Sequence, residues 1–269
     1  VARITVGILR TLEAAHGAGV LHRDIKPANV MLTGGAQPVL LDFGIASLTD
    51  LATGPISERL VGTVNYFAPE QIRTHKIGRS VFTDVYQVGL VLYELLTLRP
   101  AFAPQDGFST IPDRILRGDF VPPCKLVAAI PARLQAICLR AVQHHPEQRF
   151  ASATSFRQAL EQWLQHGTIP AGVEEAAPTS DVSDPGDPQR YAVIETLVRN
   201  EFETVQRGYD RFLRCEVDLK RAGPDMLSPQ LRQRLRKEAE QLMRVNHPGI
   251  ARLLNVVQDG SDLVLVLEP

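Results

Sequence analysis

Four side chains in the first 42 residues have types and spacing that could do chemistry together. Asp24, Lys26 and Asn29 stand close together in His22-Arg23-Asp24-Ile25-Lys26-Pro27-Ala28-Asn29, and Asp42 follows in Asp42-Phe43-Gly44. Carboxylate and amide oxygens suit a hard divalent cation. A carboxylate can also take the proton of a hydroxyl, and a lysine ammonium can neutralise a nearby anion. Taken singly, each aspartate reads equally well as a turn or helix-cap residue. What sets them apart is their combination with later runs: Gly62-Thr63 and Tyr66, then Ala68-Pro69-Glu70, then Arg149 at the end of His145-Pro146-Glu147-Gln148-Arg149.

These runs resemble the HRD catalytic loop, the DFG metal motif and the APE motif of the eukaryotic-type protein kinases. The seven letters of His22-Arg23-Asp24, Asn29 and Asp42-Phe43-Gly44 at this spacing would arise by chance on the order of once in 10⁷ chains of this size. The resemblance spans residues 1–166. It implies that Asp24 is the base that takes the proton of the substrate hydroxyl, and that Asn29 and Asp42 hold Mg²⁺. It also implies that Lys26 neutralises charge on the transferring phosphate and that Thr63 braces Asp24 and Lys26. A lysine at 26, in place of the Ala-Ala-Arg type of loop, resembles the serine/threonine branch. The wording of Pro-Glu-Gln-Arg-Phe and Ala-Pro-Glu-Gln resembles bacterial members. Further residues are implied to be structural: Glu70 pairs with Arg149, Asp84 holds the catalytic-loop backbone, and His22 packs under Phe43. Arg23 is implied to meet a phosphate on the activation segment, with Thr49, Thr53, Ser57 and Thr63 as candidate acceptors.

The elements that must position these residues can be read from periodicity. Ile4, Ile8, Leu9, Leu12 and Ala15 predict an opening helix that ends at Gly17 and Gly19. Val30–Leu32 and Val39–Leu41 around Gly34-Gly35 predict a short hairpin. Residues 45–69 read as a long loop. Apolar residues all round the run from Asp84 to Leu98 predict a helix buried in a core, and helical patterns recur at 112–117, 131–143 and 153–164.

Charge divides the chain into three. Residues 1–166 carry net +3, residues 167–190 net −4 and residues 191–269 net 0. The middle piece has four Pro and three Gly in 24 residues, which predicts a flexible acidic linker. The last piece predicts three strands (191–198, 204–207, 214–220), then a helix capped by Ser228 with Pro229 in its first turn. Leu231, Leu235, Ala239, Leu242 and Val245 line that helix, and two more strands follow near 250–257 and 262–267. The fold class expected is therefore α+β and protein-kinase-like, an α-rich large lobe plus a five-stranded β small lobe with one helix, in inverted chain order.

The last piece resembles the small lobe of the same family. Lys220 in Val217-Asp218-Leu219-Lys220 and Glu238, nine residues before His247, are implied to form the phosphate-binding ion pair. A solvated strand lysine and a surface helix glutamate are the alternative. Where the family has a glycine-rich loop, this sequence has Val198, Asn200 and Glu203. Close backbone approach to a phosphate needs the absence of a side chain, and Glu201 and Glu203 add negative charge. Asp218 replaces a small apolar residue. The activity implied is ATP- and Mg²⁺-dependent phosphorylation of protein Ser or Thr. The alternative is a pseudokinase-type regulatory or binding module. The inverted order predicts either a piece of a tandem kinase, with the large lobe of one kinase before the small lobe of a second, or a circular permutant. On its own the chain is expected to transfer little phosphate.

Composition limits the remaining classes. Hydrophobic residues make up 44% of the 269, enough for a sizeable core. The net charge of −1 provides no global field for nucleic acid. No apolar run approaches the roughly 20 residues of a membrane helix. Three scattered cysteines, Cys124, Cys138 and Cys215, fit a reducing cytosol better than a disulfide framework.

Overall fold

The computed structural model describes residues 1–43, 64–74, 80–103, 111–165, 190–199, 203–211, 215–222, 229–259 and 262–268. These fall into two compact units, one within residues 1–165 and one within 190–268. The residues of the acidic stretch up to 189 lie outside the described set.

The first unit is mostly helical. Helix α1 (Ala2–Gly17) buries Ile8, Leu9, Leu12 and Ala15 completely, and Gly19 follows it at φ +76°. A two-stranded hairpin pairs β1 (Val30–Thr33) with β2 (Gln37–Leu40), turning at Gly35, whose φ of +77° suits a residue without a Cβ. Helices α2 (Pro69–Thr74), α3 (Val81–Thr97), α4 (Ile111–Arg117), α5 (Pro123–Leu126), α6 (Ala132–Ala141) and α7 (Ala153–Gln165) complete it.

Helix α3 is the core. Every residue from Thr83 to Tyr93 is buried, as its unbroken apolar surface requires. It starts three residues earlier than the apolar run suggests, because the Ser80 hydroxyl caps it by accepting the Phe82 N–H at 3.1 Å. Helices α1, α6 and α7 pack around it. Gly89 permits the closest approach: a Cβ there would stand 2.8 Å from both Ala141 Cβ and Val142 Cγ1. Within the stretch expected as a loop, residues 64–66 form a 3-10 turn and α2 begins at Pro69.

The second unit is an antiparallel sheet of β3 (Tyr191–Arg199), β4 (Glu203–Asp210), β5 (Cys215–Ala222), β6 (Leu253–Asp259) and β7 (Asp262–Leu267), with helix α8 (Pro229–Leu242). The strand order is β3-β4-β5-β7-β6. Val217, Leu219, Val257, Val264 and Val266 form its core, and α8 buries Leu235, Ala239 and Leu242. The helix ends at Leu242, so Val245 lies beyond it, and the first strand after it begins at Leu253 rather than near 250. Gly208 of β4 sits close to its neighbours: a Cβ would meet Leu219 Cδ1 at 2.7 Å and the Ala192 carbonyl at 3.1 Å. Asp210, fully buried at the end of β4, is held by Arg190 just before β3 at 2.8 Å. Among the described residues no helix is long and apolar enough to cross a membrane.

One ion pair ties α2 to the helical core. Arg149 meets both oxygens of Glu70, at 2.8 and 2.9 Å. Its remaining donors reach the carbonyls of Phe82, His144 and Gln143 at 2.9, 3.0 and 2.7 Å, and its guanidinium lies 4.6 Å from the centre of the Tyr86 ring. Thr83 donates to Glu70 Oε1 at 2.9 Å. A fully buried guanidinium is tolerable only with its donors satisfied in this way. Burial alone would raise the Glu70 carboxyl, but Arg149 outweighs it and holds the group below the usual carboxylate range. Arg149→Ala strands Glu70 and should destabilise the helical unit by about 3–5 kcal/mol. Overlaying urea melts of the two proteins would contradict this.

Candidate active site

The loop from His22 to Asn29 has little regular structure of its own, so its shape must be imposed by neighbours. Asp84, fully buried in α3, accepts the backbone N–H of His22 at 2.9 Å on one oxygen and that of Arg23 at 2.7 Å on the other. His16, at the end of α1, meets the same carboxylate at 2.7 Å. Burial pushes the Asp84 carboxyl up; the bond and charge of His16, with help from His22, more than reverse this and hold it below the usual range. Arg23 takes φ +66°, a left-handed conformation unusual for a residue with a Cβ, and it is the residue these bonds hold.

His22 links this loop to the next motif. Its Nε2 faces the Leu41 carbonyl at 2.9 Å, and its Nδ1 accepts the Asp24 N–H at 3.4 Å. The proton therefore resides on Nε2. Burial lowers the pKa of the ring, which is neutral and lies tilted against Phe43, 4.6 Å between ring centres. It is a packing residue, as the sequence implied. The Leu41 N–H returns a bond to the Asn29 carbonyl at 2.9 Å, and Asp42, at φ +55°, is the next residue along the chain.

Three of the expected residues meet at one point. Lys26 Nζ stands 2.9 Å from Asp24 Oδ2. Asn29 Nδ2 donates to that oxygen at 2.9 Å and to the Asp24 carbonyl at 2.8 Å. Both amide hydrogens of Asn29 are thus spent on Asp24, and its side-chain oxygen is left for another partner. Asp24 Oδ1 has no partner among the described residues. Thr63, and the acceptors Thr49, Thr53 and Ser57, lie outside the described residues. Among the described residues no group of three or more His, Cys, Asp or Glu could hold a metal by itself. The residues that the resemblance implies for a metal contribute one carboxylate, Asp42, and one amide oxygen, Asn29. That set suits a small hard cation that keeps waters and shares phosphate oxygens.

In the sheet unit, Lys220 stands on β5 opposite Val205 and Leu265. Glu238 on α8 accepts Arg234 Nε at 3.2 Å. The β3–β4 hairpin pairs Val198 with Val205; Asn200 is outside the described residues. Asp218 faces an arginine, although its Oδ1 accepts no hydrogen bond. Arg207, directly opposite on β4, reaches Asp218 Oδ1 at 3.6 Å and Glu195 on β3 at 3.9 Å.

Residues 1–166 match the protein kinase domain family. The chain belongs to the protein kinase family. It is 38% identical over 163 residues to the probable serine/threonine-protein kinase SCO3848 of Streptomyces coelicolor, which covers 60% of this chain and 24% of that protein. It is 33% identical over 184 residues to the probable serine/threonine-protein kinase PknB of Bifidobacterium longum, 68% of this chain and 26% of that one. It is also 35% identical over 167 residues to the tyrosine-protein kinase MasK of Myxococcus xanthus, 60% and 25%. The chain spans about a quarter of the length of these relatives, which are bacterial, as the motif wording implied. The sheet unit lies beyond the residues matched to the family.

Motif reading missed Gln71, Gln87 and His16, all bonded to the catalytic loop or its anchor. The available signal was Gln87, a polar residue inside a helix apolar on every side, which must find buried partners.

Asp84→Asn keeps the shape but presents an amide N–H₂ to one of the two backbone donors. It should destabilise the helical unit by about 1–3 kcal/mol near neutral pH. Because the folded pKa of Asp84 is lowered, its contribution is present above the ordinary value of 3.8 and is lost as pH falls through the lowered one. The gap between mutant and wild type in urea melts should therefore close on acidification below that value. A gap independent of pH would contradict the role.

Proposed function

We propose that the helical unit is the catalytic lobe of a protein kinase that transfers the γ-phosphate of ATP to Ser or Thr hydroxyls of a protein. The observation that carries this reading is the asymmetry at Asp24: Oδ2 is fixed by Lys26 and Asn29, and Oδ1 is left to accept a proton. The substrate hydroxyl oxygen attacks the γ-phosphorus, its proton passes to Asp24 Oδ1, and ADP leaves. Lys26 neutralises charge on the moving phosphoryl group. Asn29 and Asp42 would hold Mg²⁺, which when bound neutralises the phosphates. Thr63 would brace Asp24 and Lys26. The lysine at 26 supports Ser or Thr as acceptor, and the reducing cytosol suits the free thiols of Cys124 and Cys138.

For the sheet unit two readings stand. In one, Lys220 and Glu238 form a phosphate-binding pair. In the other the unit is a regulatory or binding module without catalysis. The Arg207–Asp218 pair favours the second, because it places salt-paired side chains on the strand face that also carries Lys220. The order of the units, helical before sheet, supports a tandem arrangement, the large lobe of one kinase preceding the small lobe of another; a circular permutant is the alternative.

Asp24→Asn in the full polypeptide carrying this chain should lower transfer by about 10²–10⁴-fold. A wild-type rate in a labelled-ATP assay would remove Asp24 from the chemistry. Residues 1–269 alone should transfer phosphate near background, and titration with Mg-ATP should leave the melting temperature of the sheet unit unmoved, since a ligand stabilises only what binds it. Robust transfer abolished by both Asp42→Ala and Lys220→Met would show instead that the two units assemble into one permuted kinase.

A further inference from the structure

Asp24 is bracketed by an amide pair to which the phosphoryl-transfer scheme gives no role. Gln87, fully buried in α3, accepts the N–H of Ile25 on Oε1 at 3.0 Å and donates from Nε2 to the carbonyl of Arg23 at 2.9 Å. One side chain thus holds the residue before Asp24 and the residue after it. Gln71, on α2, donates from Nε2 to the same Arg23 carbonyl at 3.1 Å. Its Oε1 accepts both Gln87 Nε2 at 3.2 Å and the Ala68 N–H at 2.8 Å. The bonds leave each amide one orientation. Turning Gln87 over would set Nε2 against the Ile25 N–H and Oε1 against the Arg23 carbonyl.

We propose that Gln87 and Gln71 are positioning residues that set the Asp24 carboxylate for proton transfer and couple its placement to the Ala68-Pro69-Glu70 segment. The proposal rests on the kinase reading above. Only an uncharged amide of this length can accept from one peptide and donate to another. A carboxylate would accept but not donate, a lysine would donate but not accept, and an aliphatic chain would strand both buried peptide groups. The peptide being held is also the strained one, with Arg23 at φ +66°. Asp84 secures the N–H groups of His22 and Arg23, and the glutamines secure the Arg23 carbonyl and the Ile25 N–H on either side of Asp24. The pair further provides a route by which α2, itself fastened by Glu70 to Arg149, registers its position on the catalytic loop.

The test uses the full polypeptide carrying this chain, with the folded fraction of each variant measured by near-ultraviolet circular dichroism. In Gln87→Leu, kcat should fall by about 10- to 100-fold at unchanged KM for ATP, as displacement of a reacting group predicts. Gln71→Leu should lower kcat less, and the double variant should fall no further than Gln87→Leu, because both act on one carbonyl. Hydrogen exchange at the Ile25 amide should accelerate in Gln87→Leu but not in Gln71→Leu. If Gln87→Leu does not fold, the half-buried Gln71 carries the test through its own kcat. An unchanged kcat in folded protein, a loss explained by the unfolded fraction, or a change confined to KM would overturn the proposal. If the wild type transfers no phosphate, or Asp24→Asn keeps the wild-type rate, the kinase reading fails instead, and exchange at Ile25 then decides whether Gln87 holds the loop.

Discussion

A carboxylate sealed inside the core, that of Asp84, is the interaction on which the rest of the helical unit depends. Burying an ionised carboxylate costs several kcal/mol unless donors replace its water. Here three donors do so: the His16 ring and the backbone N–H groups of His22 and Arg23. The last two belong to a loop with few regular bonds of its own, so the exchange works in both directions. The loop neutralises the cost of the buried charge, and the charge fixes the loop in a conformation that includes a non-glycine residue at positive φ. Neither half would be stable alone.

The same helix organises the other polar links. Thr83 and Asp84 share one turn of α3 and Gln87 lies on the next; they reach, respectively, Glu70, the amides of His22 and Arg23, and the two peptides flanking Asp24. Helix α3 in turn is seated by close packing, with Gly89 admitting Ala141 and Val142 to a distance that a methyl group would forbid. Interiors at this density do not yield smoothly. The loop from His22 to Asn29 is thus held by side chains of a closely packed helix, which explains how it can be precise without regular secondary structure.

Much of this was legible in the sequence, for identifiable reasons. The buried helix, the hairpin at Gly34-Gly35 and the five strands announce themselves by period. Asp24, Asn29 and Asp42 do so by spacing, and Glu70 with Arg149 by a resemblance that the bidentate contact bears out. What was not legible depended on partners distant in sequence. Gln71 and Gln87 belong to no motif, and their meaning lies in a carbonyl 48 and 64 residues away. The start of α3 was misjudged because a cap, Ser80, extends a helix beyond its apolar run. The arginine facing Asp218 was not legible either, because strand register, which sets Arg207 opposite it, cannot be seen in one strand alone.

That register changes the physical argument about the sheet unit. An isolated carboxylate on a half-buried face would be a standing cost and a reason to expect a distorted strand. With Arg207 between Glu195 and Asp218, the three strands carry an alternating ladder of charge across the sheet. Opposite charges facing one another across neighbouring strands contribute roughly 0.2–1 kcal/mol each, although at 3.6 Å Arg207 Nε and Asp218 Oδ1 attract without a hydrogen bond. The ladder also occupies the face with long, hydrated side chains two residues from Lys220. An aromatic base seeking an apolar wall would have to part the Arg207–Asp218 pair to lie there and would leave a partly desolvated charge behind. The absence of glycine from 198, 200 and 203 and the presence of this pair are independent features, one of backbone and one of side-chain charge. On the binding-module reading proposed above, both weigh against nucleotide binding, and restoring glycines alone would leave the charged pair in place.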